Sequence, residues 1–427
     1  MHILIRGGRV IDPAQGLDRH LDVWIADGKI AALDKNLPLP PAETLRVIDA
    51  RGCVVAPGFI DMHTHLREPG FEHKETIATG LAAAAAGGFT AVAAMANTQP
   101  VNDTAAVTEY MLQRAAAVGG TRLYPIGAVS QGLRGKELAE IGSMHRAGIV
   151  ALSDDGMPVM NSRLLRRAME YGAMLGLPVI SHCEDQTLAA GGVMHEGVVS
   201  TELGLPGIPA AAESIMVYRD VQLAALTGAH VHIAHLSTAE AVDLVRRAKD
   251  KGLPVTAEAC PHHFTLTDEA VRGYDTNTKV NPPLRPAADV EAVKAGLQDG
   301  TIEVIASDHA PHHAAEKEQD YLTAPFGMIG LETTVSLALQ LYHEGLLSLP
   351  QLVTKFTVAP ARILGLPHGT LRVGSTADVT ILDPEYELVV EAATLRSRSK
   401  NSPFLGWRLR GAAVMTIVGG HIVFERL

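Results

Sequence analysis

The strongest constraint on the fold is a repeated alternation in the middle of the chain, between about residues 55 and 365. Short apolar segments of strand length alternate there with longer stretches in which Ala, Leu and charged residues recur at helical spacing. Eight strand–helix units are the number found in a TIM barrel. An open doubly wound sheet is the alternative, but no Gly-x-Gly-x-x-Gly turn follows the first strand. We therefore predict an α/β fold, a (β/α)8 TIM barrel, with strands at about 58–63, 89–95, 122–127, 149–152, 178–182, 230–235, 254–258 and 302–306.

The two ends of the chain have a different sequence pattern from this middle part. Roughly the first 50 residues read as short strands separated by turns, and similar stretches return at 377–382 and 414–424, with Gly419-Gly420 as a hairpin turn. Because both ends share this pattern, we predict a small β domain formed from both chain termini. Its predicted boundaries are 1–54 plus 366–427, which leaves 55–365 for the barrel. The turns predicted near the N-terminus are Gly7-Gly8, Asp12-Pro13 and Asp27-Gly28.

Composition excludes several classes of function. The 427 residues carry a formal net charge of −11, which disfavours non-specific binding to nucleic acid or to anionic membranes. Three cysteines are too few and too scattered for a disulfide framework, so we predict a reduced, cytoplasmic protein. The N-terminus has no hydrophobic region of the signal-peptide type. The uncharged segment 79–98 is better explained by a buried helix, a stop at Gly87-Gly88 and a buried strand than by a membrane span.

The first predicted strand ends in a His-x-His pair, His63 and His65. Residues two apart on a strand point to the same side, roughly 7 Å apart at their Cα atoms. Both imidazoles can therefore turn toward one metal ion, and histidine nitrogen is a typical zinc ligand. Such a pair also occurs by chance, so the residues at the other strand ends have to show whether His63 and His65 bind metal.

The other strand ends also carry polar side chains, and in a TIM barrel these ends form the active face. Four histidines and two carboxylates at one rim can bind two metal ions with a shared ligand. Each residue alone has an ordinary explanation: Asp154-Asp155-Gly156, for instance, is a common turn, and the pattern does not choose between the two aspartates. The polar residues at these ends are Asn97, Asp154-Asp155, His182, His235, Asn281, Asp308-His309 and His312.

The remaining histidines and cysteines have no comparable pattern. We interpret them as packing or surface residues, and the buried cysteines as small apolar side chains. This group comprises His230, His232, His262, His263, His313, Cys183 and Cys260.

Four motifs then identify a known family. They are Gly58-Phe-Ile-Asp-Met-His-Thr-His-Leu-Arg-Glu-Pro-Gly70, Ser153-Asp-Asp-Gly156, Asn281-Pro-Pro-Leu-Arg285 and Ser307-Asp-His-Ala-Pro-His312. In this combination the chain resembles bacterial dihydroorotases of the metal-dependent amidohydrolase superfamily, over nearly its whole length. The resemblance implies reversible, zinc-dependent interconversion of (S)-dihydroorotate and N-carbamoyl-L-aspartate in pyrimidine biosynthesis. It implies one or two zinc ions per subunit, with two expected.

The resemblance also assigns roles to residues. His63 and His65 would bind the first zinc together with Asp308, while His182 and His235 would bind the second. Asp155 would bridge the two ions, since its spacing to His182 matches the family. Many relatives bridge with a carboxylated lysine, but this chain has no lysine between Lys136 and Lys249. Asp308 would also transfer the catalytic proton. The substrate would be held by His65, Arg67, Asn97, Asn281, His312 and the backbone near Phe326-Gly327.

Two alternatives are weighed against this assignment. Allantoinases and dihydropyrimidinase-like cyclic amidohydrolases resemble the chain in fold and metal set, but they lack an arginine two residues after His-x-His, so Arg67 favours dihydroorotase. A non-catalytic homologue that scaffolds aspartate transcarbamoylase would have lost metal ligands, whereas all of them are present. The sequence leaves open the oligomeric state, including a homodimer, and any assembly with aspartate transcarbamoylase. We also expect the long loop 309–325 to act as a lid that is mobile without ligand.

Overall fold

The protein is described by a computed structural model that covers residues 2–39 and 45–426. In this part of the chain the strands, in order, are β1 (His2–Asp12), β2 (Leu17–Ala26), β3 (Lys29–Asp34), β4 (Leu45–Asp49), β5 (Val54–Pro57), β6 (Phe59–Thr64), β7 (Phe89–Ala94), β8 (Arg122–Gly127), β9 (Ala151–Leu152), β10 (Val179–Ser181), β11 (Met194–His195), β12 (Gly207–Ile208), β13 (Val231–Ile233), β14 (Val255–Ala259), β15 (Val304–Ile305), β16 (Val379–Val389), β17 (Arg408–Val418) and β18 (His421–Glu425).

The α-helices of the same residues lie between these strands. They are α1 (Ile77–Ala86), α2 (Ala105–Val118), α3 (Ile141–Ala147), α4 (Ser162–Leu175), α5 (Gln186–Ala189), α6 (Val198–Leu203), α7 (Ala211–Thr227), α8 (Ala239–Asp250), α9 (Pro261–Thr265), α10 (Ala287–Asp299), α11 (Ala314–Lys317), α12 (Thr334–His343), α13 (Leu349–Phe356) and α14 (Val358–Ile363).

The predicted TIM barrel is confirmed. Among the described residues, β6 to β10 and β13 to β15 form one eight-stranded parallel sheet in chain order. The ring closes where the amide of His65 donates to the carbonyl oxygen of His309 at 2.9 Å, beside a parallel bridge between Thr64 and His309. Apolar side chains such as Met62, Ala93 and Ile180 fill the interior. The polar residues of the predicted site lie at the rim where the strands end.

The two chain ends form a separate sheet with the strand order β18-β17-β16-β5-β1-β2-β3, and β4 pairs with β1. The predicted hairpin at Gly419-Gly420 is confirmed, since it joins β17 to β18. The turn predicted at Gly7-Gly8 is wrong. β1 continues through it with a register shift between Ile5 and Gly8, because Gly7 adopts a φ of 70° and makes a bulge instead of a reversal. β5 pairs with β16, so this sheet extends to Pro57.

The uncharged segment 79–98 folds as the sequence predicts. α1 ends at Ala86, Gly87-Gly88 turns the chain, and the buried strand β7 follows. Across residues 2–39 and 45–426, no helix combines the length and apolar character needed to cross a bilayer.

The connection between β16 and β17, residues 390–407, leaves the terminal sheet and reaches the barrel. Ser397 donates a hydrogen bond to the buried carboxylate of Glu75, and the amide of Arg398 donates to the same group at 2.9 Å. Glu75 in turn contacts His309, 3.2 Å from its Nε2 atom. The terminal sheet therefore supplies residues beside the strand ends at which the barrel closes.

Candidate metal and substrate site

The six predicted metal ligands converge at the carboxyl ends of the barrel strands. None exposes more than 8% of its surface. They come from β6, from the residues after β9, β10 and β13, and from the residues after β15, and they are His63, His65, Asp155, His182, His235 and Asp308.

One group of ligand atoms is formed by His63, His65 and Asp308, all within 4.8 Å of one another. The Oδ1 atom of Asp308 lies 3.4 Å from His63 Nε2 and 3.2 Å from His65 Nε2. His63 and His65 alternate with Thr64 along β6, so the two imidazoles share one side of the strand, as the His-x-His spacing predicts. This group matches the first metal site that the resemblance implies.

Asp155 lies at the centre of the cluster. Its carboxylate is 3.4 Å from His63 Nε2, 3.3 Å from His65 Nε2 and 3.6 Å from His235 Nε2. His182 Nδ1 is also 3.6 Å from Asp155 and only 2.8 Å from His235 Nε2. A carboxylate that faces both histidine pairs has the position required of a bridging ligand.

The neighbouring Asp154 forms its hydrogen bonds outside the ligand cluster. Its Oδ1 atom accepts hydrogen bonds from the amides of Val129 and Ser130 at 2.8 and 3.1 Å, and its Oδ2 atom accepts one from the Ser130 hydroxyl. The structure therefore separates two aspartates that the pattern alone leaves equivalent: Asp154 braces the preceding loop, and Asp155 faces the histidines.

The donor set fits a divalent metal. The Nδ1 atoms of His63 and His65 pair with Glu258 at 2.6 Å and with Asn97 at 2.8 Å, which leaves each Nε2 lone pair facing carboxylate oxygens. The buried atoms His63 Nε2 and Asp155 Oδ1 have no hydrogen-bond partner within residues 2–39 and 45–426. Lone pairs that face one another in a buried site are stable only with a cation or protons between them. Nitrogen and oxygen ligands in this mixture are typical of zinc.

Electrostatics support the same arrangement. Burial alone would raise the pKa of the Asp155 carboxyl, but the surrounding histidines, His63 foremost, hold this pKa well below its ordinary value. Burial likewise opposes ionisation of Asp308, yet His63 and His65 keep the pKa of its carboxyl below the usual range. Both carboxylates are therefore ionised as long as positive charge, on the histidines or on a bound metal, stays beside them.

A cavity of about 240 Å³ opens directly onto the ligand cluster. Every residue that the resemblance assigns to substrate binding contributes to its wall. The lining residues are His65, Arg67, Asn97, Asp155, Gly156, His182, Asn281, Asp308, Ala310, His312, Phe326 and Gly327.

Arg67 and His312 form the polar end of this cavity. Arg67 Nε donates to the carbonyl oxygen of Pro311 at 3.2 Å, and its Nη2 atom lies 3.4 Å from His312 Nε2. Burial lowers the pKa of Arg67 to about 10, so the guanidinium stays charged at neutral pH. Burial, followed by the charge of Arg67, lowers the pKa of His312 to about 2, so its imidazole is neutral. One fixed positive charge therefore faces the cavity at this end.

Three of these residues adopt left-handed backbone conformations that are uncommon outside glycine. The φ angles are 62° for Arg67, 33° for His235 and 46° for Asp308. Such conformations cost about 1–3 kcal/mol each and persist where the surroundings impose them, often at functional sites. From the turns that follow their strands, Arg67 and Asp308 reach the cavity wall and His235 reaches Asp155 and His182.

Sequence reasoning missed two carboxylates that support the ligands. Glu258 on β14 is fully buried and accepts from His63 Nδ1 at 2.6 Å, with His232 Nε2 at 3.2 Å. Glu184 lies 3.7 Å from His182 Nε2, and although burial opposes ionisation, this histidine helps to hold the pKa of the Glu184 carboxyl below its usual value. A charged residue inside the apolar run Val255–Ala259 was the available signal for Glu258. His232, which the pattern suggests is mere strand packing, belongs to this polar network.

Cys260, His262 and His263 form a further close group among the described residues, with ligand atoms within 4.8 Å. Burial lowers the pKa of His262 to about 4 and raises that of the Cys260 thiol well above its usual value. The group is therefore uncharged and packs beneath the cluster.

Comparison with known proteins places the chain among related enzymes. The family described as Dihydro-orotase-like matches residues 52–241, and the Amidohydrolase family matches residues 339–424. A dihydroorotase of Citrifermentans bemidjiense is 57% identical over the full length of both chains. One of Pelotomaculum thermopropionicum is also 57% identical, over 100% of this chain and 99% of the relative. Among solved structures, an L-hydantoinase (dihydropyrimidinase) from Arthrobacter aurescens superposes with a TM-score of 0.89 at 28% identity, over 99% of this chain and 96% of that one.

Proposed function

Since this chain belongs to the dihydroorotase family of the amidohydrolases, we propose that it interconverts (S)-dihydroorotate and N-carbamoyl-L-aspartate at the site described above. It is a cyclic amide hydrolase with a small-molecule substrate. The observation that carries the specific reaction is the pairing, in one cavity of about 240 Å³, of the ligand cluster with the Arg67 guanidinium. A cyclic amide that bears a carboxylate matches both ends of such a cavity.

We propose two zinc ions as the metals. His63, His65 and Asp308 would hold one, His182 and His235 would hold the other, and Asp155 would join them. The convergence of all six side chains, with lone pairs facing one another, supports this assignment. When bound, zinc activates water as a nucleophile at neutral pH and polarises the carbonyl under attack.

The chain's own residues would position the substrate and move the proton. Arg67 would make paired hydrogen bonds to the substrate carboxylate, with neutral His312 and Asn281 beside it. The buried Oδ1 atom of Asn281 has no hydrogen-bond partner within the described residues, which supports its use as an acceptor for a substrate N–H. Asp308, kept ionised by its neighbours, would accept the proton of the attacking water and deliver it to the leaving ring nitrogen.

Hydantoinase or dihydropyrimidinase activity is the nearest rival, since a solved hydantoinase shares the fold. Uncharged hydantoins offer no partner for the Arg67 guanidinium, and a buried charge without a partner is costly. The 57% identity to dihydroorotases, against 28% to the hydantoinase, also favours dihydroorotate.

Several broader features follow as proposals. We place the reaction in pyrimidine biosynthesis and the protein in the cytoplasm, which its three free cysteines support. We propose that residues 1–54 with 366–427 form a domain distinct from 55–365, because the terminal sheet has its own apolar core around Ile3, Val23 and Ile417. A homodimer is a further proposal, which the molar mass of the protein in solution would test. Assembly with aspartate transcarbamoylase is a hypothesis that co-purification would test.

The decisive experiment is an assay of dihydroorotate hydrolysis with metal content measured on the same sample. We expect turnover of dihydroorotate with close to two zinc ions per chain, and little turnover of hydantoin or dihydrouracil. Efficient hydrolysis of either uncharged ring, with dihydroorotate inert, would refute the proposed substrate.

A further inference from the structure

A single side chain from the terminal sheet's 390–407 connection spans both ends of the loop that carries His312. Asn401 is buried, with 5% of its surface exposed. Its Oδ1 atom accepts a hydrogen bond from the amide of His312 at 3.1 Å. Its Nδ2 atom donates to the carbonyl oxygens of Ala310 and Gly327, both at 3.1 Å. Ala310 and His312 at the start of the 309–325 loop, and Gly327 just past its end, are therefore bonded to one side-chain amide.

The chemistry of these partners fixes the orientation of the Asn401 amide. A backbone N–H can only donate, and a backbone carbonyl oxygen can only accept. Exchanging the oxygen and nitrogen of Asn401 would set donor against donor at His312 and acceptor against acceptor at Ala310 and Gly327. The three contacts are thus all satisfied in one orientation and all lost in the other.

Further contacts within the barrel part of the chain hold the same loop. The buried Lys317 donates from Nζ to the carbonyl oxygens of Pro325 and Gly327, at 2.8 and 2.9 Å. The amide of Gly327 donates to the carbonyl oxygen of Lys279 at 2.8 Å. Gly327 also has to be glycine, because a Cβ there would lie 2.8 Å from Ala310 Cβ and its φ is 129°. Contacts of this kind anchor the loop near both of its ends.

We propose that Asn401 is a positioning residue for substrate binding, which holds His312 and the Phe326-Gly327 segment in their binding geometry before substrate arrives. Its substrate-binding consequence rests on the proposed function, because His312 and Phe326 line the cavity assigned to dihydroorotate. The terminal sheet thereby acts on the active site of the barrel, through a side chain that does not line the cavity. Ordering the loop in advance lowers the entropy lost on binding, so substrate affinity depends on Asn401.

Hydrogen exchange on the native protein tests the clamp without any assumption about substrate. In the metal-loaded, ligand-free protein, we expect the amides of Ala310, His312 and His313 to exchange at least about tenfold more slowly than unstructured peptide. The amide of His312 is the reporter of the clamp, because its hydrogen-bond acceptor is Asn401. Adding N-carbamoyl-L-aspartate should slow these amides little further. Exchange at the unstructured rate that slows only when this compound is added would overturn the clamp and support the predicted mobile lid.

Substitutions test the consequence for binding. Asn401→Asp keeps the shape but places a carboxylate against two carbonyl oxygens, and Asn401→Ala removes all three bonds. In both variants we expect the KM for dihydroorotate to rise by roughly tenfold, with kcat changed far less and zinc content as in the native protein. Thr394→Ala, an exposed position in the same connection, is the matched control and should leave KM unchanged.

The outcomes separate the two proposals. A native KM in Asn401→Asp would overturn the positioning role, whatever the stability of the variant. If both variants fail to fold, the exchange experiment on the native protein still tests whether the His312 segment is ordered before substrate binds. A native protein that does not turn over dihydroorotate refutes the proposed function, while slow exchange of the His312 amide would still support the clamp.

Discussion

At the scale of single residues, the chemistry of the site depends on a few side chains whose neighbours set their roles. Asp154 and Asp155 are adjacent in sequence, yet one accepts backbone hydrogen bonds and the other faces four histidines. Arg67 gains its importance from its position beside the ligand cluster in a confined cavity. Two predictions follow from these two contrasts.

The first prediction concerns Arg67→Met. Losing the guanidinium removes paired, charge-assisted hydrogen bonds to the substrate carboxylate, so kcat/KM for dihydroorotate should fall by about a hundredfold or more. The ligand cluster does not include Arg67, so zinc content should match the native protein. Steady-state kinetics and metal analysis of one preparation check both statements. A kcat/KM within a few-fold of native would exclude Arg67 as the carboxylate-binding residue.

The second prediction compares Asp155→Asn with Asp154→Asn. An amide binds zinc far more weakly than a carboxylate, so Asp155→Asn should lose at least one zinc ion and nearly all activity. Asp154→Asn should keep its zinc and lose stability, because one oxygen that accepts from Ser130 becomes a donor. Metal analysis after extensive dialysis distinguishes the two variants. Full two-metal binding in Asp155→Asn would show that the bridge lies elsewhere.

At the scale of secondary-structure elements, the ends of the barrel strands carry the proposed metal ligands. The connections between helices and strands determine where those strand ends lie. The clearest joint is Gly87-Gly88, where α1 stops and β7 begins. Gly88 has a φ of 95°, and a Cβ there would lie 2.7 Å from Ala413 Cβ on β17. This glycine lets the barrel and the terminal sheet approach each other closely, so its requirement comes from both conformation and packing.

The third prediction tests that joint with Gly88→Ala. The left-handed backbone costs roughly 1–2 kcal/mol and the steric overlap roughly 1–3 kcal/mol, so the free energy of unfolding should fall by about 2–5 kcal/mol. Gly176→Ala is the control, since Gly176 follows α4 with a φ of 73° and open space around its Cβ position. Gly176→Ala should lose only the roughly 1–2 kcal/mol of unfolding free energy that the left-handed backbone costs. Urea unfolding of both variants measures the difference, and equal losses would show that packing against Ala413 contributes nothing.

At the scale of the whole molecule, two sheets from different parts of the chain cooperate at one site. The barrel carries the proposed metal ligands, and the 390–407 connection of the terminal sheet bonds to Glu75 and His312 beside them. The proposed ligands include two buried carboxylates, Asp155 and Asp308, whose charge metal would neutralise. The stability of the whole protein should therefore depend on metal.

The fourth prediction is that removing metal lowers the thermal unfolding midpoint by several degrees, because metal binds the folded cluster far better than the unfolded chain. Zinc added in bicarbonate-free buffer should restore both the midpoint and full activity. No lysine lies between Lys136 and Lys249, so no residue near the ends of β9 and β10 can be carboxylated by CO₂. A requirement for bicarbonate would contradict Asp155 as the bridge.

The sequence alone determined the features that depend on local pattern. Strand and helix periodicity predicted all eight barrel strands, and the glycine pairs predicted the stop after α1 and the hairpin at Gly419-Gly420. The strand-end residues proposed as ligands could be named because a parallel barrel brings the carboxyl ends of its strands to one face. Local pattern misjudged Gly7-Gly8, since a glycine pair serves a bulge as well as a turn.

Only the tertiary structure decided which polar group meets which. The separation of Asp154 from Asp155, the support of His63 by Glu258 and the clamp of Asn401 on His312 all join residues from different elements. Asn401 is 89 residues from His312 along the chain, and Glu258 is 195 residues from His63. Periodicity reports the face that a residue occupies, but a hydrogen bond requires distances near 3 Å, which only the packed chain fixes.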